Sequence, residues 1–260
     1  MANTTIGGAV LSCKSYMLSK SEIKRLNALK IKKYRVSEGL FIAEGLKILV
    51  DFIDSGMHPE MIYYTDASML PLFKQSDAQK CRLISEDALS KVTSLKTPQG
   101  CLGVFSIPEV SDEVPLDRWI FLLDNIQDPG NMGTIIRIAD WFGMKYVVCS
   151  PDTVDAFNSK VVQSCMGSLA RVNILYTDLE PFMAEKKRPV YAGLLNGTDI
   201  RNIGFKEIGA LLIGNEGNGV RDSLLPYIDH PLMIPRLGGA ESLNAGVAAG
   251  IMAAWALLQH

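Results

Sequence analysis

Histidine is scarce in this chain: His58, His230 and His260 are the only three among 260 residues. The five cysteines, Cys13, Cys81, Cys101, Cys149 and Cys165, are odd in number and form no CxxC pair. Zinc sites use closely spaced Cys and His, and secreted disulfide scaffolds use an even, dense set of cysteines, so neither is expected here, nor any other metal site. Two internal histidines also give little support to Ser-His-Asp hydrolysis. Long apolar runs are missing as well. The longest, residues 243–258, is diluted by Ala, Gly and Asn244 and falls short of the roughly 18 residues a membrane span requires. The opening MANTTIGGAVLSCK has no basic start and no long apolar stretch, so secretion is not expected. Free thiols then fit the reducing cytoplasm.

What is present suits a globular protein of one large or two modest domains, with 48% hydrophobic and 21% charged residues. The formal net charge of -2 conceals a basic segment. Between residues 14 and 35, Lys14, Lys20, Lys24, Arg25, Lys30, Lys32, Lys33 and Arg35 are opposed only by Glu22. Such a segment can engage phosphates by counterion release, and the same spacing also describes a solvated amphipathic helix face.

Hydrophobic spacing predicts helices over 22–33 and 43–55, strands at MIYYT from Met61 and CRLIS from Cys81, a short helix in DALSKVTSL, and a strand at CLGVFSI from Cys101. The stretch PEVSDEVPLD, with two prolines and acids at Glu109, Asp112, Glu113 and Asp117, predicts a linker. Beyond it, apolar runs (WIFLLD, KYVVCS, VNILYT, RPVYAGLL, ALLIGNE, HPLMIP) alternate with helical patterns, which indicates a parallel sheet covered on both faces. The expected organisation is a mobile opening at 1–15, a first domain at 16–107, a linker at 108–117 and a second domain at 118–260.

Three polar stretches in the second domain stop apolar runs: LDNIQDPGNMGTIIRIADWFG from Leu123, LLIGNEGNGVR from Leu211 and IPRLGGAESLNAGVAAG from Ile234. Loops at the carboxyl ends of parallel strands are where ligands collect, so the three suggest one shared site. Gly214, Gly217 and Gly219 surround Asn215, Glu216 and Asn218 in a pattern that a plain tight turn explains equally well, and it matches neither GxGxxG nor a P-loop. Asn131 is placed to cap the helix after Asp128-Pro129-Gly130. Arg137 breaks an Ile135, Ile136, Ile138 run, so its guanidinium needs an anion, either Glu216 or a substrate phosphate.

These three stretches, in order and spacing, resemble the motifs of the SpoU/TrmH class of SPOUT RNA methyltransferases. FIAEGLKILVDFIDSG and SLKTPQGCLGVF resemble the small N-terminal RNA-binding domain of that class. The resemblance implies an α/β, parallel-sheet SPOUT fold whose C-terminal segment forms a trefoil knot, beside a smaller N-terminal α/β RNA-binding domain. It also implies a homodimer, S-adenosylmethionine as methyl donor, and methylation of a ribose 2′-hydroxyl in RNA. By motif position it assigns Asn131, Arg137, Glu216, Ser242 and Asn244 to catalysis, and Gly193, Leu194, Gly214, Gly217, Ile234 and Leu243 to the cofactor. Lys24, Arg25, Lys30, Lys32, Lys33 and Arg35 are then expected to hold RNA. Arginine stays protonated far above neutral pH, so Arg137 is expected to anchor phosphate and stabilise a developing alkoxide; the proton acceptor is left among Glu216, water and phosphate. The chain departs from the class where Ala245 and Gly246 follow Asn244, in place of the usual SLNVSVA continuation. It departs again at Gln163 and Cys165, where Arg and Ser are common.

Ribosomal RNA is favoured over transfer RNA because of the separate N-terminal domain. A non-catalytic RNA-binding assembly factor is the alternative from another class, opposed by the presence of all five polar motif residues. A generic nucleotide-binding protein would need a phosphate loop that this sequence does not show.

Overall fold

The computed structural model describes residues 3–6, 9–12, 15–185, 187–205 and 207–258; Cys13, Lys14 and His260 lie outside the described residues. The chain divides into two compact units, Met1–Pro108 with Phe157–Ala170, and Glu109–Ala156 with Arg171–His260.

In the first unit, β1 (Asn3–Ile6) and β2 (Ala9–Ser12) pair antiparallel within the stretch expected to be a mobile opening. The helix expected over 22–33 is two helices, α1 (Lys20–Ala28) and α2 (Lys32–Glu38), with Ile31 extended between them. Ser19 and Glu22 form a capping box that starts α1. The break comes where Arg35 turns inward, 3% exposed, and donates from Nη1 to the Leu29 carbonyl at 2.9 Å, satisfying an orphan acceptor at the end of α1.

The helix expected from Ala43 starts instead at Leu46, because Ala43 and Glu44 finish the fully buried strand β3 (Leu40–Glu44). Gly45, at φ 94°, makes the turn into α3 (Leu46–Asp54). β4 (Pro59–Tyr64), β5 (Cys81–Leu83), α4 (Glu86–Ser90) and β6 (Cys101–Ser106) complete a four-stranded sheet in the order β3-β6-β4-β5. Its β4-β5 pair is parallel and the other pairs are antiparallel. Phe41, Phe52, Phe105 and Phe157 pack ring to ring on one side of this sheet, with centroids 4.9–5.9 Å apart.

The second unit begins with β7 (Ile120–Leu123), α5 (Pro129–Trp141) and β8 (Tyr146–Cys149). The chain then gives α6 (Ser159–Cys165) to the first unit and returns with β9 (Asn173–Tyr176), α7 (Leu179–Ala184), β10 (Val190–Asp199), β11 (Ala210–Ile213), β12 (His230–Met233) and α8 (Ala245–Leu258). All six strands are parallel, in the order β12-β10-β11-β7-β8-β9. From β7 the chain runs outward through β8 and β9, whereas β11 connects to β12 on the other side. Neighbouring strands β7 and β11 therefore flank the topological switch point, the place where such sheets bind ligands.

The four cysteines among the described residues, Cys81, Cys101, Cys149 and Cys165, are buried. Burial pushes the Cys81 thiol up to about 11 and the Cys101 thiol up to about 12, which makes both poor nucleophiles. Among the described residues no His, Cys, Asp and Glu cluster could hold a metal ion, and no helix is long and apolar enough to cross a membrane.

Helices α5 and α8 pack face to face, and the unusual Gly246 explains how. A Cβ at Gly246 would sit 2.9 Å from Thr134 Cγ2, and one at Gly250, a turn later, 3.4 Å from Ile138 Cδ1. The missing side chains let α8 settle onto Thr134 and Ile138. Restoring the family residue with Gly246→Ser should lower stability by about 1 kcal/mol through overpacking. Thr134→Ala in the same chain should return most of it, which paired thermal denaturation of the single and double variants would measure.

Candidate active site

The loop after β7 and the loop after β11 are bonded to each other across the switch point. Asp128, not Asn131, caps α5: its carboxylate accepts from the Asn131 backbone N–H at 2.8 Å, with Pro129 in the first turn. The Asn131 side chain is thereby free to point away from the helix end. Its Nδ2 donates to Glu216 Oε1 at 2.9 Å, and its Oδ1 accepts from Asn244 Nδ2 at 2.7 Å. Asn244 Oδ1 in turn caps α8 by accepting from the Val247 N–H at 3.2 Å. Three loops distant in sequence thus meet at one 7%-exposed amide.

Glu216 is held from a second direction, since the backbone N–H groups of Gln127 and Asp128 both donate to its carboxylate at 3.3 Å. The turn that carries it is fixed by Asn215, whose Oδ1 accepts from the Gly217 and Asn218 N–H groups at 3.0 Å and whose Nδ2 donates to the Asn125 carbonyl at 2.7 Å. Gly214 is required for that turn, because a Cβ there would collide with the backbone of Gly219 and Val220. Gly217 is not under the same constraint, its nearest neighbour being 3.6 Å from where a Cβ would stand.

The remaining expected residues are placed unevenly. Gly214 and Ile234 directly follow the carboxyl ends of β11 and β12, and Gly193 lies within β10, where its pairing with the adjacent β12 shifts register. Leu194 is half-buried where β10 shifts register against β12, and a Cβ at Gly193 would touch Met252 Sδ of α8 at 3.0 Å. Ser242 and Leu243 are exposed on the loop before α8. Arg137 is not the buried cation its apolar neighbours implied. It is exposed and, among the described residues, has no ion pair, with Glu216 committed to Asn131 and the backbone. Six residues of helix turn Arg137 about 240° from Asn131, so the two point to different sides of α5.

Sequence reasoning missed a second ionic knot at the same sheet end. Asp124, 1% exposed at the end of β7, accepts from the Arg221 backbone N–H at 2.8 Å and from its guanidinium, which also reaches Asp152 after β8 at 2.9 Å. Burial pushes the Asp152 carboxyl up, but the Ser150 hydroxyl and Arg221 together hold it below the ordinary carboxylate range. The hydrogen bond to Asp124 raises Arg221 further above its already high value. The signal was an acid directly ending a buried strand, which must find a partner.

The basic segment also differs from expectation. Arg35 is buried, Arg25 pairs with Glu38 at 2.7 Å, and Lys30 donates to the Thr93 carbonyl at 2.8 Å. Burial pulls the Lys30 amine below its usual range, opposed by the nearby Glu44 charge. Lys24, Lys32 and Lys33 are exposed.

Known proteins resemble this chain over nearly its whole length. Residues 118–254 match the SpoU rRNA Methylase family, and residues 20–103 match the MRM3-like substrate binding domain. The chain is 37% identical over 235 residues to the 23S rRNA (guanosine(2553)-2'-O)-methyltransferase RlmP of Bacillus subtilis, covering 89% of this chain and 94% of that protein. The AdoMet-bound rRNA methyltransferase of Sinorhizobium meliloti superposes with a TM-score of 0.83 at 31% identity, over 92% of this chain and 95% of that one. A TrmH-family protein from Porphyromonas gingivalis superposes with a TM-score of 0.86 at 32% identity, over 94% and 100%. With its parallel sheet, its three motif loops joined at Asn131 and a matched substrate-binding unit, the chain belongs to the SpoU rRNA methylase family.

Proposed function

We propose that this protein transfers a methyl group from S-adenosylmethionine to a ribose 2′-hydroxyl of ribosomal RNA. The observation that carries the reading is the Glu216–Asn131–Asn244 chain of hydrogen bonds, which fixes three motif loops in one arrangement before substrate arrives.

The residues at hand suit the donor. Exposed apolar side chains Leu195, within β10, and Leu237 and Leu243, on the loop beyond β12, offer cover for a flat purine, and Glu216 and Glu241 supply acidic charge that suits a sulfonium. Gly193, Leu194, Gly214, Gly217, Ile234 and Leu243 would hold it, Gly217 through its backbone. When bound, it supplies a methyl carbon already activated by positive sulfur.

The protein's task is then alignment and removal of one proton. A carboxylate offers about four lone-pair sites, and Glu216 has three filled by Gln127, Asp128 and Asn131. Glu216 therefore organises the site, with a single remaining lone pair to turn toward an incoming hydroxyl, and the proton leaves to water or phosphate. Ser242, exposed beside Asn244, is free to hold the ribose.

Arg137 serves as phosphate anchor and alkoxide stabiliser in the site of a second protomer. Two features support a homodimer. Helix α8 is apolar on every side, which ordinarily means burial on every side, yet Val247 is 50% and Leu258 69% exposed. Trp141, at the end of α5, is 85% exposed. The knotted C-terminus and a cytoplasmic location belong to the same reading.

Ribose-methylation mapping of total RNA with and without the protein should reveal a lost mark in rRNA; loss of a mark in transfer RNA alone would redirect the assignment. Arg137→Lys keeps the charge and loses the planar fork, and should cut the single-turnover rate by about 10²-fold. A near-normal rate would remove Arg137 from the chemistry.

A further inference from the structure

We infer that the loop 94–99 is the RNA-reading surface of the first unit and that the buried Glu44 positions it; the inference rests on the proposed function. Glu44 is a carboxylate only 3% exposed at the end of β3. Burying such a charge is costly unless it is fully bonded, and here, among the described residues, every bond it makes through its carboxylate goes to the stem of a surface loop. Oε1 accepts from the Ser94 N–H at 2.8 Å and Oε2 accepts from the Thr93 hydroxyl. The Thr93 carbonyl accepts from Lys30, the cation that feels the nearby Glu44 charge.

The other stem is tied with equal care. The Gly100 carbonyl accepts from both the N–H and the hydroxyl of Thr65, at 2.9 and 3.2 Å. Gln99 lies folded over Gly45 so closely that any Cβ at Gly45 would collide with its amide. The Glu44 carbonyl accepts from Gln163 Nε2 at 2.8 Å, which joins α6 to the same anchor and gives a purpose to the residue that departs from the family's usual arginine.

Between these anchored ends, Lys96, Thr97, Pro98 and Gln99 are exposed. Lys47, also exposed, stands two residues beyond Gly45. A core does not need a buried carboxylate spent on a polar loop tip, whereas a binding loop does, since a pre-set loop avoids the ordering cost when its partner arrives. The side chains on offer define that partner. Lysines at 47 and 96 match phosphates, and the amide and hydroxyl of Gln99 and Thr97 match the edges of unpaired bases, the form in which RNA sequence is read. The basic residues of α1 and α2 are less available for this task, with Arg25, Lys30 and Arg35 already engaged.

The test is steady-state kinetics of the full chain on an rRNA transcript with Lys96→Ala/Thr97→Ala and, separately, Glu44→Ala and Glu44→Gln. The surface double variant should raise the KM for RNA about tenfold, with kcat, donor affinity and melting temperature unchanged. Glu44→Ala should raise the same KM without lowering kcat, and Glu44→Gln, which keeps an acceptor for Ser94, should recover part of it. Wild-type methylation with unaltered KM in the surface variant would overturn the loop assignment alone. A wild-type protein that neither binds nor methylates rRNA would overturn it together with the proposed function.

Discussion

Asn131→Leu should lower the single-turnover methylation rate by roughly 10²-fold or more, the scale of removing a preorganised polar group from an active site. Leucine matches asparagine in the number and branching of its side-chain heavy atoms but can neither donate to Glu216 nor accept from Asn244. Both partners lose a bond, and because both are exposed water can take its place, so each loss costs about 0.5–1.5 kcal/mol of stability while the fixed arrangement is lost. The loop after β12 is released from α5, because no other side-chain bond ties Asn244 to the β7 loop among the described residues, whereas the loop after β11 keeps its bonds from Gln127 and Asp128 to Glu216 and from Asn215 to Asn125. Stability should fall modestly, as α8 keeps its Asn244 cap and its packing on Thr134 and Ile138. Asn131→Asp provides the control. It can still accept from Asn244 but sets a second carboxylate against Glu216, so it should be inactive as well. Rapid-quench turnover with donor in excess would measure both, and a normal rate in Asn131→Leu would show that the junction is not needed for chemistry.

That junction was legible in the sequence in its members but not in its wiring. DPGN, GNEG and SLN each end an apolar run, and the parallel sheet followed from strands alternating with helices, which is why the three loops were expected at one sheet end. The cap of α5 was misplaced by three residues because Asp128 and Asn131 are both good caps, and only the fold shows which side chain is needed elsewhere. Arg137 was misread for a related reason. A helix with apolar neighbours at 135, 136 and 138 looks buried all round, yet the 100° step per residue leaves position 137 on the solvent side. The basic segment shows the limit of charge counting. Arg35 adds one to the sum but spends its charge inside the unit, on the end of α1. The Lys30–Glu44–Thr93 network could not be read at all, because its members are 14 and 49 residues apart, after α1, at the end of β3 and after α4, and no local pattern links them.

Arg221→Met should be the most destabilising single change at the sheet end. It strips the guanidinium from Asp124, a carboxylate 1% exposed that keeps only the backbone N–H of residue 221 as a donor from that loop. Removing one partner of a fully buried pair costs about 3–5 kcal/mol. Arg221 is itself 42% exposed, so water reaches the gap and about 2–3 kcal/mol is expected. Asp124→Asn in the same chain should recover part of the loss by removing the stranded charge, which a double-mutant cycle in urea would measure. The acid limb gives an independent check. Asp152 has a folded pKa below its unfolded one, so the unfolded chain binds more protons in that window. Its contribution is complete above the ordinary carboxylate value of about 4 and is lost as pH falls through the lower folded value. Without Arg221, Asp152 moves back toward that ordinary value and has less to lose. The stability gap between wild type and Arg221→Met should therefore narrow below about pH 4, and a gap that stays constant or widens in acid would show that Arg221 does not stabilise the ionised Asp152.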